Sequence, residues 1–306
     1  MSIENNHIQK RTIRGILSDL RYLVKGFVLV ANVLPIISGF WLALYFTNES
    51  FFNHWEMFLI LTIGSIFLMS GALILNNWYE VDLDVEMKRT QKRPTVTGNF
   101  SMNTVLALGI IFSIVGTIFL FFTTAETATY GFLAWFAYVV LYTFWTKRRY
   151  TLNTVIGSVS GAFTPLMGWA AIESAYHIIP IVLFIILFIW QIPHTFAIAM
   201  RRHDEYKAAK VPMLPVVHGF AITKRQNLVY VACLLPFAIL LKSVGTFFVV
   251  ITFILNLVWL YISIVGLFKN SKEENAKYAD QMFYLSLTYL TVVFGGMIIV
   301  TLPLFN

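Results

Sequence analysis

A single cysteine in 306 residues, Cys233, rules out an internal disulfide framework and any multi-cysteine zinc spacing. Lying in an apolar run, it reads as a small buried hydrophobe. Charge is equally scarce. Asp, Glu, Lys and Arg make up 12% of the chain, against roughly a quarter in soluble proteins. There is no Gly-rich phosphate loop and no Gly-x-Ser-x-Gly elbow. Hydrophobic residues are 58% of the chain and the mean hydropathy is +0.74, too much for one water-soluble core to hide. These features exclude a disordered chain, a secreted disulfide scaffold and an ordinary soluble enzyme. Acids are the scarcer sign, 15 against 22 bases. In a soluble chain that balance would suggest nucleic acid; here it is first a topology signal.

What the chain has is long apolar runs. A spanning helix needs about 20 mostly apolar residues. Nine stretches qualify, at 26–46, 56–76, 104–123, 128–146, 154–172, 178–199, 226–244, 247–268 and 283–304. Two longer tracts are divided only by short turns, Thr123 to Thr127 and Lys242 to Thr246. Undivided, each would be about twice the bilayer thickness. Nine crossings place the N-terminus and the loops 77–103, 147–153, 200–225 and 269–282 on one side. That side holds 21 of the 22 Lys and Arg residues, with only Lys242 opposite. The bias marks it as cytoplasmic, or as the matrix side of a mitochondrion. The expectation is an all-α polytopic membrane protein of nine transmembrane helices with a cytoplasmic N-terminus. It comprises a cytoplasmic segment 1–25 and a helical domain 26–306. The opening segment has neither a signal peptide's order nor a clear transit pattern, which favours a bacterial plasma membrane. Ile13, Leu17, Leu20 and Leu23 predict a short amphipathic helix on the anionic inner leaflet.

The chemistry gathers at the cytoplasmic ends. The second span runs into Asn76-Asn77-Trp78-Tyr79-Glu80-Val81-Asp82-Leu83-Asp84-Val85-Glu86, four acids in seven residues. If the helix continues, Asn76, Glu80 and Asp84 share one face with Asn77 at its edge. Asp82 joins them only if the helix unwinds. Stacked carboxylates repel, and Mg²⁺ typically takes one or two of them together with substrate phosphates. A metal–phosphate site and a solvated acidic loop both fit this spacing. Lys88, Arg89, Lys92 and Arg93 follow at once, and Lys147-Arg148-Arg149 lies between spans four and five. Each cluster reads as ion pairs and topology signal, or as a clamp on a phosphate ester. Gln191 and His194 sit about two turns inside span six, where polar side chains face the bundle interior. Pro193 between them predicts a kink. A lone histidine there is more often a hydrogen-bonded structural residue than a ligand. Most of the 28 Phe and 8 Trp serve lipid-facing packing, and a minority suit a cavity for a large flat or polyprenyl ligand.

The run from Asn76 to Asp84 resembles the first Asp-rich motif of the intramembrane prenyltransferases, the UbiA superfamily. Further motifs are Met87-x-Arg89-Thr90-x-x-Arg93-Pro94, Asn153-Thr154-Val155-Ile156-Gly157, Gly168-Trp169, Trp190-Gln191-x-Pro193-His194 and Pro212-Met213-Leu214-Pro215. With them the chain is similar to that superfamily's haem-farnesylating branch, from about Lys25 to its end. The resemblance implies a UbiA-type bundle that joins farnesyl diphosphate to haem b, with Mg²⁺ as cofactor and haem O and diphosphate as products. The lipid bilayer is the setting. Haem A synthase or terminal-oxidase assembly factors are the implied protein partners, and nucleic acid is not one. By the same resemblance Asn76, Glu80 and Asp84 are catalytic metal holders, with Asp82 and Asp204 as further metal candidates. Asn77, Lys88, Arg89, Arg93, Lys147, Arg148 and Arg149 fall to the diphosphate. Arg201 or Arg202 falls to the haem propionates, and Gln191 and His194 to substrate, His194 near the porphyrin. Three departures stand out: Glu80 where the family has Asp, Ala208 where a second motif would end in Asp, and Gly26 after Lys25 where the family has Pro. They leave the second metal's ligands open. Competing readings are prenylation of another aromatic or tetrapyrrole acceptor, a multi-span transporter and a non-catalytic oxidase assembly factor.

Overall fold

The computed structural model describes residues 13–302. Lys10 and Arg11 of the charge count and the last two residues of the ninth expected span lie outside the described residues. Every regular element within them is helical. α1 (Ile13–Leu23) is a short amphipathic helix, as its spacing predicted. It buries Leu23 against the bundle and leaves Leu17 exposed. The chain turns at Lys25, in left-handed geometry (φ 48°), into α2 (Gly26–Thr47).

α3 (Phe51–Tyr79) starts where the Ser50 hydroxyl accepts from the Phe52 N–H. Its 29 residues rise about 44 Å, beyond a hydrocarbon core of roughly 30 Å. The helix is therefore longer than one straight crossing needs, and its last turn carries the polar Asn76 and Asn77. α4 (Val81–Glu86) and α5 (Pro94–Thr97) fold the loop that follows. α6 (Met102–Phe121) and α7 (Ala125–Phe136) part where the Thr124 hydroxyl accepts from the Thr127 N–H at 3.0 Å. α7 runs on as a ten-residue π-helix, Ala137–Thr146. Then come α8 (Asn153–Ala170), α9 (Ile178–Arg201), α10 (His203–Ala208), α11 (Leu214–Val217), α12 (Gly219–Cys233) and α13 (Leu235–Leu240). The chain closes with α14 (Thr246–Gly266), α15 (Lys272–Leu290), a π-turn at Thr291–Gly295, and α16 (Gly296–Val300).

Among the described residues, seven helices are long and apolar enough to cross a membrane, against nine expected stretches. The two that fall short do so for different reasons. The stretch 154–172 is α8, where Gly157, Ser158, Ser160, Gly161 and Thr164 dilute the apolar residues. The stretch 226–244 is broken after Cys233. Pro236 lacks the N–H that would continue the helix, and α13 gives way to a short 3₁₀ turn at Lys242–Val244. Cys233 itself is exposed rather than buried, because it sits on the outer face at this break.

Lipid is as apolar as leucine, so helices in a membrane associate through close van der Waals contact at small residues. α2 and α8 meet backbone to backbone. A Cβ on Gly168 would stand 1.9 Å from the Ile36 carbonyl oxygen, and one on Gly39 2.2 Å from the Pro165 carbonyl oxygen. Gly168→Ala should therefore push α2 off α8. Overpacking of this kind costs about 1–3 kcal/mol, read as a lower melting midpoint in detergent. An unchanged midpoint would refute the close contact.

Candidate active site

α3 ends because Glu80 leaves helical geometry (φ −104°, ψ 17°), yet the break preserves register. The Glu80 N–H donates to the Asn76 carbonyl at 3.0 Å and the Asp84 N–H to the Glu80 carbonyl at 2.9 Å. Asn76, Glu80 and Asp84 consequently stay on one face, and none is more than 3% exposed. The Asp82 side chain is 60% exposed. The acidic run is thus divided, with alternate carboxylates turned into the bundle and out to solvent.

Each inward group meets a partner outside its own helix, all but Arg93 from a distant stretch of chain. Lys147 donates to Glu80 Oε2 at 2.5 Å. Arg93, the residue before α5, donates to Asp84 Oδ2. Lys25 donates to Asn76 Oδ1, while Asn76 Nδ2 donates to Thr143 Oγ1 at 3.0 Å. Asn77 Nδ2 donates to the Leu23 carbonyl at 2.6 Å, tying α1 to the end of α3. Burial, then the Arg93 and Lys147 charges, push the Lys25 ammonium pKa well below the lysine range.

The π-helix supplies two of these contacts. The Thr146 hydroxyl donates to the Leu141 carbonyl at 2.7 Å, and the Lys147 N–H to the Tyr142 carbonyl at 2.9 Å. The second, a backbone bond, reaches back five residues, the wide turn that recurs at functional sites. On the outer side Arg148 forks onto Asp82, with both bonds at 2.7 Å, and also donates to the Tyr79 carbonyl at 2.9 Å. That guanidinium holds the Asp82 carboxyl below the usual carboxylate range. It also satisfies a carbonyl left open at the C-terminus of α3.

Behind the acids lies a chamber of about 230 Å³. Leu68, Ala72, Leu73 and Trp135 line one wall, Ser158, Gly161, Thr164 and Gln191 another, and Tyr138 and Tyr142 stand between. Lys147 Nζ sits 5.4 Å from the centre of the Tyr142 ring, so chamber and charged cluster share a border. A second groove of about 1040 Å³ gathers Glu86, Lys88, Arg201, Arg202 and Asp204. There Arg201 pairs with Asp280 at 2.6 Å and Arg202 with Glu205 at 3.1 Å. Asp204 accepts from His203 at 2.9 Å. Arg89 and Arg149 are exposed. His194 is stacked between Trp190 and Phe283, its Nδ1 bonded to Ser286 Oγ at 2.7 Å.

Among the described residues no three His, Cys, Asp or Glu side chains converge on a metal position. The oxygens of Asn76, Glu80 and Asp84 nevertheless suit a hard cation. Glu80 Oε1 is buried with no hydrogen-bond partner, and Mg²⁺ needs only one or two carboxylates when phosphates complete its shell. Sequence reasoning missed Lys25 and Thr143 as members of this cluster. Lys25 had a signal, a lone cation at the rim of the first span. Thr143 had none, because only the π-helix turns it inward.

The sequence profile of the UbiA prenyltransferase family matches residues 32–287. A protoheme IX farnesyltransferase of Oceanobacillus iheyensis is 51% identical over 290 residues, 94% of this chain and 91% of that one. Among solved structures, one concerning digeranylgeranylglyceryl phosphate synthase aligns with a TM-score of 0.73 at 16% identity, over 93% of this chain and 98% of that one. A UbiA homologue from Archaeoglobus fulgidus bound to DMAPP and Mg²⁺ aligns with a TM-score of 0.63 at 14% identity, over 90% and 99%. These likenesses establish a shared fold.

Breaking a buried ion pair strands its survivor, at a cost of about 3–5 kcal/mol. Lys147→Met should lower the melting midpoint in detergent by that order. The double variant Glu80→Gln/Lys147→Met should regain most of the loss. Equal midpoints for single and double variants would show that the two groups are not coupled.

Proposed function

The chain belongs to the UbiA prenyltransferase family, and from that premise we propose that it transfers the farnesyl group of farnesyl diphosphate to a vinyl group of haem b, with addition of water, giving haem O and diphosphate. The reading draws on the protoheme IX farnesyltransferase of Oceanobacillus iheyensis. The observation that carries it is the pair of buried carboxylates, Glu80 and Asp84, set with Lys147 and Arg93 at the mouth of a chamber whose other wall is apolar.

The task is to ionise an allylic C–O bond, whose electron pair leaves on the diphosphate. Mg²⁺, when bound, supplies positive charge to that leaving group. Asn76, Glu80 and Asp84 would hold it. Lys147, Arg93 and Lys25 face the same point and stabilise the departing phosphates more in the transition state than before it. One unit pair at about 4 Å is worth about 4 kcal/mol at an effective dielectric of roughly 20. Lys88, Arg89 and Arg149 add exposed positive charge around the entrance. Asp82 and Arg148 hold α4 against the end of the π-helix. Leu68, Ala72, Leu73 and Trp135 keep the farnesyl chain dry and protect the allylic cation from early capture by water. The vinyl group's electron pair then closes the new C–C bond, and water completes the product. Arg201 and Arg202 lie where haem propionates would find cations, and Asp204 shares their groove.

The arrangement we infer in the membrane has nine crossings, the N-terminus and the charged cluster on the cytoplasmic side of a bacterial plasma membrane. The asymmetry of Lys and Arg supports it. Haem A synthase or oxidase assembly factors would receive the product.

Mass spectrometry of the product from haem b, farnesyl diphosphate and Mg²⁺ tests the reaction, and absence of haem O rejects it. Asp84→Ala should insert normally and form no haem O; full activity would remove Asp84 from the site. Neutralising Lys147, Arg148 and Arg149 together should raise the KM for farnesyl diphosphate at least tenfold, about the loss of one charge-assisted contact. An unchanged KM would end their phosphate role.

A further inference from the structure

The chamber's two walls differ in kind. One is apolar. The other, formed by α8 and α9, is polar in an unusual sense: most of its donors are used up. Ser158 Oγ donates to the Thr154 carbonyl at 2.8 Å, Ser160 Oγ to the Gly157 carbonyl at 2.9 Å and Thr164 Oγ1 to the Gly161 carbonyl at 2.7 Å. Gln191 spends both amide hydrogens as well, on the Ser158 carbonyl at 3.2 Å and the Leu187 carbonyl at 3.0 Å. Hydroxyl and amide oxygens are what remain to face the chamber. Gly161 makes room for the amide, since a Cβ there would lie 2.4 Å from Gln191 Oε1. Ser158, Ser160, Thr164 and Gln191 therefore present lone pairs and no hydrogens.

Such a wall suits two things, a passing carbocation and a water molecule held by its own hydrogens. A water gripped that way points its free lone pair at whatever electrophile shares the chamber. Gly161 lies eight residues beyond Asn153 at the start of α8, about 12 Å of helical rise. The amide is thus placed below the charged cluster rather than in it.

Resting on the reaction read above, we propose that this wall, with Gln191 Oε1 as its principal acceptor, holds the water that ends the reaction. The steps balance. The C–O bond of farnesyl diphosphate breaks and its electron pair leaves with the diphosphate. The vinyl π pair forms the bond to the farnesyl carbon and leaves a cation on the carbon beside the porphyrin ring. The held water closes the C–O bond to that carbon. Its surplus proton passes to the diphosphate released in the first step, because an amide is too weak a base to keep it. Without a placed water the same cation sheds a proton from the neighbouring carbon, giving an alkene one water lighter than haem O.

The test is the ratio of these two products, measured by mass spectrometry in membranes given haem b and farnesyl diphosphate. Gln191→Leu should lower the ratio of haem O to the lighter alkene by about tenfold or more, the scale of one lost hydrogen bond in a closed site. A purely structural loss would reduce both products together and leave the ratio unmoved, which overturns the proposal. Thr164→Val keeps its shape and removes a neighbouring acceptor. If Gln191→Leu does not accumulate, a ratio shifted the same way in Thr164→Val supports the proposal, and an unshifted one overturns it. Wild-type membranes that form no farnesylated haem would bring down the reaction and this inference together. Wild type making haem O beside variants with an unmoved ratio brings down the inference alone.

Discussion

The structure depends on keeping carboxylates dry at a membrane rim. Glu80 and Asp84 are almost wholly buried, and an isolated buried carboxylate costs far more than a hydrogen bond can return. Two cations meet this cost, Arg93 before α5 and Lys147 after the π-helix, and Lys25 before α2 donates to Asn76 beside them. Their convergence locks these loops onto the end of α3. Such clusters seldom add net stability over a well-packed apolar core. Their use lies in holding opposite charges ready at one point, where a phosphate and its counter-cation can exchange partners with them.

The remaining fold serves that point. α3 is long enough to carry Asn76 and Asn77 to the rim, and the break at Glu80 turns the chain without losing register. The π-helix rotates Thr143 and Lys147 toward the acids. The glycine contacts between α2 and α8 draw the walls in around the chamber. Charge sits at the mouth, apolar side chains on one wall and lone pairs on the other, which separates bond ionisation from the later capture of a cation.

Much of this was readable in the chain. The i, i+4, i+8 spacing of Asn76, Glu80 and Asp84 placed them on a shared face, and the structure keeps them there despite the break. The divisions of the two longest apolar tracts also fall where turn residues predicted, because Thr124 caps a helix and Gly245 adopts a φ of 150°. Other features were missed or left no local trace. α8 looked like an ordinary span, but its Gly, Ser and Thr residues mark a helix packed inside the bundle rather than one facing lipid. That Glu80 meets Lys147 could not be read at all, since the two are 67 residues apart.

The sequence by itself determined the class of molecule. Apolar runs of bilayer length and a one-sided distribution of Lys and Arg follow from composition and order, because transfer into lipid is a local, additive cost. It also determined which side chains reach the rim, since helical periodicity is local. The tertiary structure alone decided how those side chains are paired and where the donors of Ser158, Ser160, Thr164 and Gln191 are spent. Those outcomes depend on distances between helices far apart in the chain, and the helix contacts that set such distances are sums over many small packing terms that no short stretch of sequence contains.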